Sequence, residues 1–210
     1  IALLVGRRVI PFFASRRVQD VEIPRHEKSG KYQLIITALS IALLVFGLHK
    51  IAAIALVALV AITWFQLFQW KPMKVIHMPL LWVLYVSYFL LGLGLLFAAL
   101  FFAEIQLPMN LRPAAFVHII GMGGFAVMIM GMITRTALGH TGRPLEASRL
   151  MVASYVLMVL AAIFRLVALW TGNAMGSLHL TASLWILAFI FYLWQFTPIL
   201  TSPRVDGKPG

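Results

Sequence analysis

Two histidines enclose one long apolar stretch of the chain, and their side chains could bind a metal ion or a heme iron. His118 begins the stretch "HIIGMGGFAVMIMGMITRTALGH" and His140 closes it. Imidazole is the commonest metal ligand in proteins. If the stretch is one α-helix, its rise of about 1.5 Å per residue places the two histidines about 33 Å apart. They therefore cannot bind the same metal ion.

Arg165 lies inside another apolar stretch, where an ionised side chain is costly unless it is paired or hydrated. Glu104 is the acidic residue that the predicted topology places near its level. His118 and His179 each begin an apolar stretch that runs from the same face. That placement permits a bis-histidine heme with Arg165 available to a propionate, or a histidine-rich copper site. A membrane histidine more commonly only packs or lies at the interface.

Methionines and glycines occur together in the stretch between the two histidines. The thioether of Met132 could bind cuprous copper or heme iron, although methionine usually fills gaps in a core. The glycines either let helix backbones approach closely in lipid or leave room for a flat cofactor. Both interpretations stay open for each residue type.

The end of this stretch, "GMITRTALGHTGRPL", concentrates polar residues in a short segment. A glycine followed by a proline is typical of a helix terminus, and Arg135 near a helix end can extend to the interface. These features indicate a turn with basic anchors. The alternative is a cationic cradle in which Arg135, His140 and Arg143 hold an anionic group.

The composition is that of an integral membrane protein. Of the 210 residues, 62% are hydrophobic and only 11% are charged, well above the apolar content of soluble domains. The formal net charge is +11, but the basic residues lie between apolar runs, where they orient a membrane protein. We therefore expect a lipid bilayer and no nucleic acid as partner. The chain has no cysteine, which excludes thiolate metal sites and disulfides.

The apolar runs predict an all-α, polytopic transmembrane bundle with about six spanning helices. Residues 1–31 are interpreted as the end of a preceding span and a basic cytoplasmic loop, residues 32–200 as the membrane domain, and residues 201–210 as a cytoplasmic tail. His49 and Lys50 join the first two apolar runs, which form either a tight antiparallel hairpin or a single kinked or re-entrant stretch. The predicted spans are Tyr32–Leu48, Ile51–Gln69, Pro79–Ala103, Phe116–Ala137, Leu150–Trp170 and Leu178–Leu200.

Lysines and arginines of the short loops fall almost entirely on one side of these spans, which predicts that side as cytoplasmic. The basic loop before Tyr32, the loop that holds Lys71 and Lys74, the loop around Arg143 and the C-terminal tail all share it. On the other side lie Lys50 and Arg112. We therefore expect the C-terminus on the cytoplasmic side, and we expect the helix that contains Ile1 to leave the membrane on that side.

The sequence also resembles the NnrS family of bacterial membrane proteins. The specific motif is "MITRTALGHTGRPL" (Met132–Leu145), and supporting segments are "GRRVIPFF" (Gly6–Phe13), "PLLWVLY" (Pro79–Tyr85), "HIIGMGG" (His118–Gly124) and "FRLVA" (Phe164–Ala168). The likeness covers nearly the whole chain. It implies a multi-pass protein of the bacterial inner membrane, associated with heme, expected to be of b type, with copper and with the response to nitric oxide.

The resemblance also has implications for particular residues. His118, Arg135, His140 and Arg165 match positions that the family pattern emphasises, and it implies heme-related or metal roles for the two histidines. Tyr85 stands where the pattern usually has histidine, and a phenolate can ligate heme iron. The family implies a longer protein in which this chain is the C-terminal half, so its N-terminal half would complete any shared site.

Three functions remain open from the sequence. The first is a heme- and copper-binding protein of nitric oxide metabolism or nitrosative stress protection, with or without catalysis. The second is a carrier that moves an anion or heme without transforming it, which the arginines favour. The third is a structural or assembly subunit whose histidines only pack.

Overall fold

The fold is entirely helical over the part of the chain that the structure describes. The computed structural model describes residues 1–18, 22–24, 27–105, 112–170 and 173–207, and no strand occurs among them. The predicted all-α fold class is confirmed. Arg25, His26 and Lys208, which belong to the predicted basic loop and tail, lie outside the described residues.

Eight α-helices, one 3-10 turn and one π-helical segment make up the described structure. Their bounds are α1 (Ala2–Arg17), α2 (Glu27–Val45), α3 (His49–Gln69), the 3-10 turn (Pro72–Lys74), α4 (Pro79–Phe102), α5 (Pro113–His118), the π-helical segment (Ile119–Ala126), α6 (Val127–His140), α7 (Arg149–Val167) and α8 (Ala174–Leu200).

Within the described residues, five helical spans are long and apolar enough to cross a membrane. They are α3, α4, the continuous run from Pro113 to His140, α7 and α8. The sequence predicted about six spans, and five of the described helices have the length and composition of a span. The first predicted span forms α2, but its opening turns carry Glu27, Lys28 and Lys31, which shorten its apolar part below the length a span needs.

The N-terminal segment is more helical than predicted. α1 continues through Arg17, although the sequence analysis ended the helix near Gly6 and assigned the following residues to a loop. Ile10 and Ala14 are fully buried, so one face of α1 packs on the bundle. A Cβ on Gly6 would lie 2.7 Å from a ring carbon of Tyr88. The close approach of α1 to α4 therefore depends on glycine at this position.

The predicted hairpin between the first two apolar runs is present, with a different turn. α2 and α3 pack against each other, and α3 begins at His49, so His49 and Lys50 are helical. The turn is made around Gly47, whose φ is 73°. The amide of Leu48 donates to the carbonyl of Leu43, and that of Gly47 to the carbonyl of Leu44. This pair of bonds is a Schellman motif, which favours glycine at the left-handed position.

α4 is the central helix of the bundle. It packs against α1, α3, α6 and the π-helical segment. Cβ atoms on Gly123, Gly124 and Gly131 would lie within 3.1 Å of α4 side chains, whereas one on Gly121 would meet open space. The glycines therefore bring the span from Pro113 to His140 close to α4, as small residues do between membrane helices.

The contacts separate two ends of the bundle. Arg17 contacts the loop after α6, and Trp70 contacts Pro24; we call this end the basic end. At the other end, the outer end, Lys50 pairs with Glu104 and Phe97 contacts Trp170. The two polar layers expected from alternating helix directions are therefore present.

Candidate functional site

His118 and Arg165 come together at the outer end. His118 is the last residue of α5 and is half-buried, while Arg165 lies in the last turn of α7 and is also half-buried. The charge of Arg165 is close enough to act on the imidazole of His118. Glu104, the predicted partner of Arg165, pairs instead with Lys50. Nζ of Lys50 lies 3.3 Å from Oε2 of Glu104. Both partners of that pair are largely exposed.

A π-helical segment follows His118 directly, from Ile119 to Ala126. Such segments are rare and often mark functional sites. An apolar cavity of about 150 Å³ lies beside it, between α4, the π-helical segment and α7. Its lining includes Leu90, Gly123, Ala162 and Trp170. The cavity is lined by the residue that follows His118 in the chain and by the residue that follows Arg165.

His179 lies in α8 at the same end, because α8 begins a few residues after α7 ends. Its side chain is exposed. No group of three or more His, Cys, Asp or Glu that could hold a metal ion occurs in the described residues. This part of the chain therefore offers single imidazoles at the outer end and no complete metal site.

His140 lies at the basic end, as the last residue of α6 instead of in the following loop. Its side chain is exposed. Because the helix from Pro113 to His140 is continuous, His118 and His140 occupy opposite ends of one span. The prediction that they cannot share a metal ion is confirmed. Met132 lies eight residues before His140, about 12 Å along the axis, and packs against the core.

The glycine stop predicted after this helix is present at Gly142, whose φ is 70°. The amide of Arg143 donates to Leu138, and that of Gly142 donates to Gly139, which again forms a Schellman motif. The same turn holds the C-terminal segment: the amide of Val205 donates to the carbonyl of Thr141. The polar end of the motif therefore terminates a helix and anchors the tail.

Arg135 is buried at the basic end with only 6% of its surface exposed. Its guanidinium carbon lies 3.7 Å from the centre of the Phe13 ring. It lines a cavity together with Arg17 and His77. Neither His140 nor Arg143 lines this cavity, and Arg143 donates instead to the carbonyl of Ile199. Of the three residues predicted to form a cationic cradle, only Arg135 lines this cavity. Arg17 and His77 also line it, and the sequence analysis did not connect them with the cradle.

Tyr85 is buried near the start of α4 and donates its hydroxyl hydrogen to the carbonyl of Trp70 over 2.8 Å. The indole of Trp70 in turn donates to the carbonyl of Pro24. Both bonds lie at the basic end, so Tyr85 is separated from His118 by most of the span. The structure thus places it among packing residues.

A buried polar network between α2, α3 and α4 was missed by the sequence analysis. Nε2 of Gln33 donates to Thr63 and to the hydroxyl of Tyr88, at 3.1 and 2.9 Å. Tyr88 donates to Gln66, whose Nε2 donates to Ser29. Oε1 of Gln33 has no partner in the described structure. The signal that could have indicated it is two glutamines in otherwise apolar helices, since buried amides need partners.

Comparison with known proteins identifies the chain. A family model described as "NnrS protein" matches residues 1–204. The chain belongs to the NnrS family. No curated protein and no solved structure matches it, so the identification rests on the family model.

The NnrS segments noted in the sequence fall at defined places in the fold. "HIIGMGG" supplies His118 and the start of the π-helical segment, and "FRLVA" supplies Arg165 beside it. "MITRTALGHTGRPL" supplies Arg135 and the Schellman turn at Gly142. In this NnrS-family chain, two motifs therefore meet at the outer end and the third forms the basic end.

Proposed function

We propose that this NnrS-family chain is part of a heme- and copper-binding protein of nitric oxide metabolism or nitrosative stress protection. We place it in the bacterial inner membrane, which it crosses several times, and expect the remainder of a longer protein as its partner. Family membership supports the connection with nitric oxide, and the five apolar spans support the membrane location.

The packing of α7 against α5 and the π-helical segment, which places His118 and Arg165 at the same end of the bundle, carries the heme part of the proposal. A neutral imidazole is an ordinary axial ligand of heme iron, and an arginine can pair with a propionate carboxylate. Both side chains are half-buried at one end of the bundle. An intramembrane arginine is in general functional, and the carboxylate first expected to pair with Arg165 pairs with Lys50.

The apolar cavity beside the π-helical segment supports the connection with nitric oxide. Its volume is about 150 Å³ and its lining is almost entirely apolar. An apolar space of this size is suited to a small uncharged molecule. Nitric oxide is such a molecule and dissolves in lipid. A heme held by His118 would supply iron, which binds diatomic gases, and the residue that follows His118 lines the cavity.

The described residues fit heme and copper unequally. His118 would be one residue to hold the heme iron, and His179 at the same end is the candidate for a second. For copper, no cluster of three potential ligands is present in this part of the chain, and Met132 and His140 are too far apart to share an ion. The copper part of the proposal therefore rests on the family resemblance alone.

The direct test is a reduced-minus-oxidised visible spectrum with metal analysis on the full-length protein purified in detergent. The proposal predicts a Soret band with b-type visible bands and bound copper. A featureless spectrum without iron or copper would refute it.

A carrier that moves an anion or heme without transformation is the second candidate, because Arg135 lines a cavity at the basic end and Arg165 lies at the other. If the protein is a carrier, flux into proteoliposomes falls when Arg165 is replaced by alanine. A visible spectrum without heme bands is compatible with this function. Unchanged flux in that variant rejects this candidate.

A further inference from the structure

The basic end contains a cavity that the proposed heme function does not use. It measures about 260 Å³ and lies between the ends of α1 and α6, the start of α4 and the loop after α6. Polar residues in its lining are Arg17, His77, Arg135 and Glu146. It is separated from His118 by the length of the span from Pro113 to His140.

Arg135 carries a buried positive charge in this cavity. Only 6% of its surface is exposed, and its Nε has no hydrogen-bond partner. No carboxylate lies within ion-pair distance of it in the described structure. The ring of Phe13 covers one face of the guanidinium. Burying a cation is costly unless an anion pairs with it, so this site favours an anionic ligand.

Arg17 adds a second positive charge to the same cavity. Its Nη2 donates to the carbonyl of Leu145 over 2.9 Å, which holds the side chain against the loop after α6. The charges of Arg17 and Arg135 are near enough to repel each other. Glu146 lines the cavity as well, but it forms no ion pair with either arginine within the described residues. Two cations facing one cavity favour an anion between them.

We propose that Arg135 and Arg17 bind a small planar oxyanion, either a carboxylate or an inorganic ion of the nitrite and nitrate class. Phe13 leaves the edge of the Arg135 guanidinium for the ligand, and that edge presents parallel N–H groups that match two oxygens of a planar anion. The cavity volume of about 260 Å³ is large enough for a small anion. Arg135 supplies the buried fork and Arg17 closes the site from the exposed side.

Isothermal titration of the full-length protein in a neutral detergent and a chloride-free buffer tests this proposal. Sodium nitrate and sodium acetate are titrated separately. Saturable binding of one equivalent of either anion is expected. Binding of nitrate alone identifies an inorganic oxyanion site, binding of acetate alone identifies a carboxylate site, and binding of both identifies a site for the whole class.

Variants locate the binding. Arg135→Gln should weaken it at least tenfold, Arg17→Gln should weaken it less, and Arg135→Lys should weaken it because the ammonium keeps the charge but lacks the fork. Arg143→Gln is the matched control: it removes the same charge at the same end from a residue outside the cavity lining. It should leave the affinity unchanged.

Two results would overturn the proposal. One is that neither anion binds to the wild-type protein. The other is that affinity in Arg17→Gln and Arg135→Lys equals that of the wild type, which decides the matter even if Arg135→Gln does not fold. Heme content is not measured in this experiment, so its outcome is independent of the proposed function.

Discussion

The hydroxyl of Tyr88 donates a hydrogen bond of 2.7 Å to Oε1 of Gln66, in the buried space between α3 and α4. The same hydroxyl accepts from Nε2 of Gln33. Tyr88→Phe should therefore leave a buried acceptor and a buried donor unpaired at once. Each unsatisfied group costs about 1–3 kcal/mol, so thermal unfolding in detergent should show a clear loss of stability.

Tyr85→Phe is the matched control for this network. Tyr85 is also buried in α4, but its hydroxyl makes one hydrogen bond, to the carbonyl of Trp70. Its loss should destabilise the protein less than Tyr88→Phe does. Equal stability of the two variants would show that the network around Tyr88 contributes nothing beyond a single bond.

Gly142 tests the role of the family motif in the fold. Its φ of 70° is a left-handed conformation, and a Cβ there would lie 2.7 Å from Cγ of Asp206. Gly142→Ala should lower the free energy of unfolding by at least about 1 kcal/mol. Gly139→Ala, in the preceding helical turn with nothing within 4 Å of its Cβ position, should be neutral or stabilising. A chemical-denaturation comparison in detergent in which both variants behave alike would contradict this assignment.

Gly124 and Gly121 of the π-helical segment form a second pair of test and control positions. A Cβ on Gly124 would lie 2.3 Å from Cδ2 and 2.6 Å from Cγ of Leu91, a side chain that is itself buried. Overpacking of this kind costs about 1–3 kcal/mol. Gly121→Ala meets open space and should change the unfolding midpoint little. A lower midpoint in the Gly121 variant than in Gly124→Ala would reject the packing role.

Arg165 and Glu104 both lie at the outer end, and only Arg165 is proposed to act on a bound heme. Glu104 pairs with Lys50 on the surface, and such exposed pairs contribute about 0–1 kcal/mol. Glu104→Gln should therefore leave both stability and heme content unchanged. Arg165→Gln should reduce heme content or shift the Soret band, because it removes the cation near His118. If the Glu104 variant alone changes the spectrum, the assignment of Arg165 is wrong.

The sequence predicted those parts of the fold that follow from hydrophobic length and local chemistry. Long apolar runs predict helices directly, and glycine followed by proline predicted the helix end at Gly142. The boundary of α1 was wrong because basic residues at its exposed face are compatible with a helix whose other face, with Ile10 and Ala14, packs on the bundle. The turn lies at Gly47 and not at His49, because the left-handed backbone conformation of this glycine sets where the preceding helix ends.

The candidate sites depended on packing that a single sequence does not contain. Depth along the membrane follows from topology, which is why His118 and Arg165 were placed correctly in one layer. The topology does not determine which helices are neighbours. The sequence analysis therefore paired Glu104 with Arg165, whereas the structure pairs it with Lys50. Likewise, Arg17 and His77 are far from Arg135 in sequence, and only the fold brings them to one cavity.

The most direct test of the central claim is the visible spectrum of His118→Ala beside that of His140→Ala, both in the full-length protein purified in detergent. The two residues lie toward opposite ends of one continuous helix, and each variant loses one imidazole. We predict that His118→Ala loses the Soret band or shifts it strongly, while His140→Ala retains the wild-type spectrum. A heme spectrum that is unchanged in His118→Ala, or lost only in His140→Ala, would contradict the account.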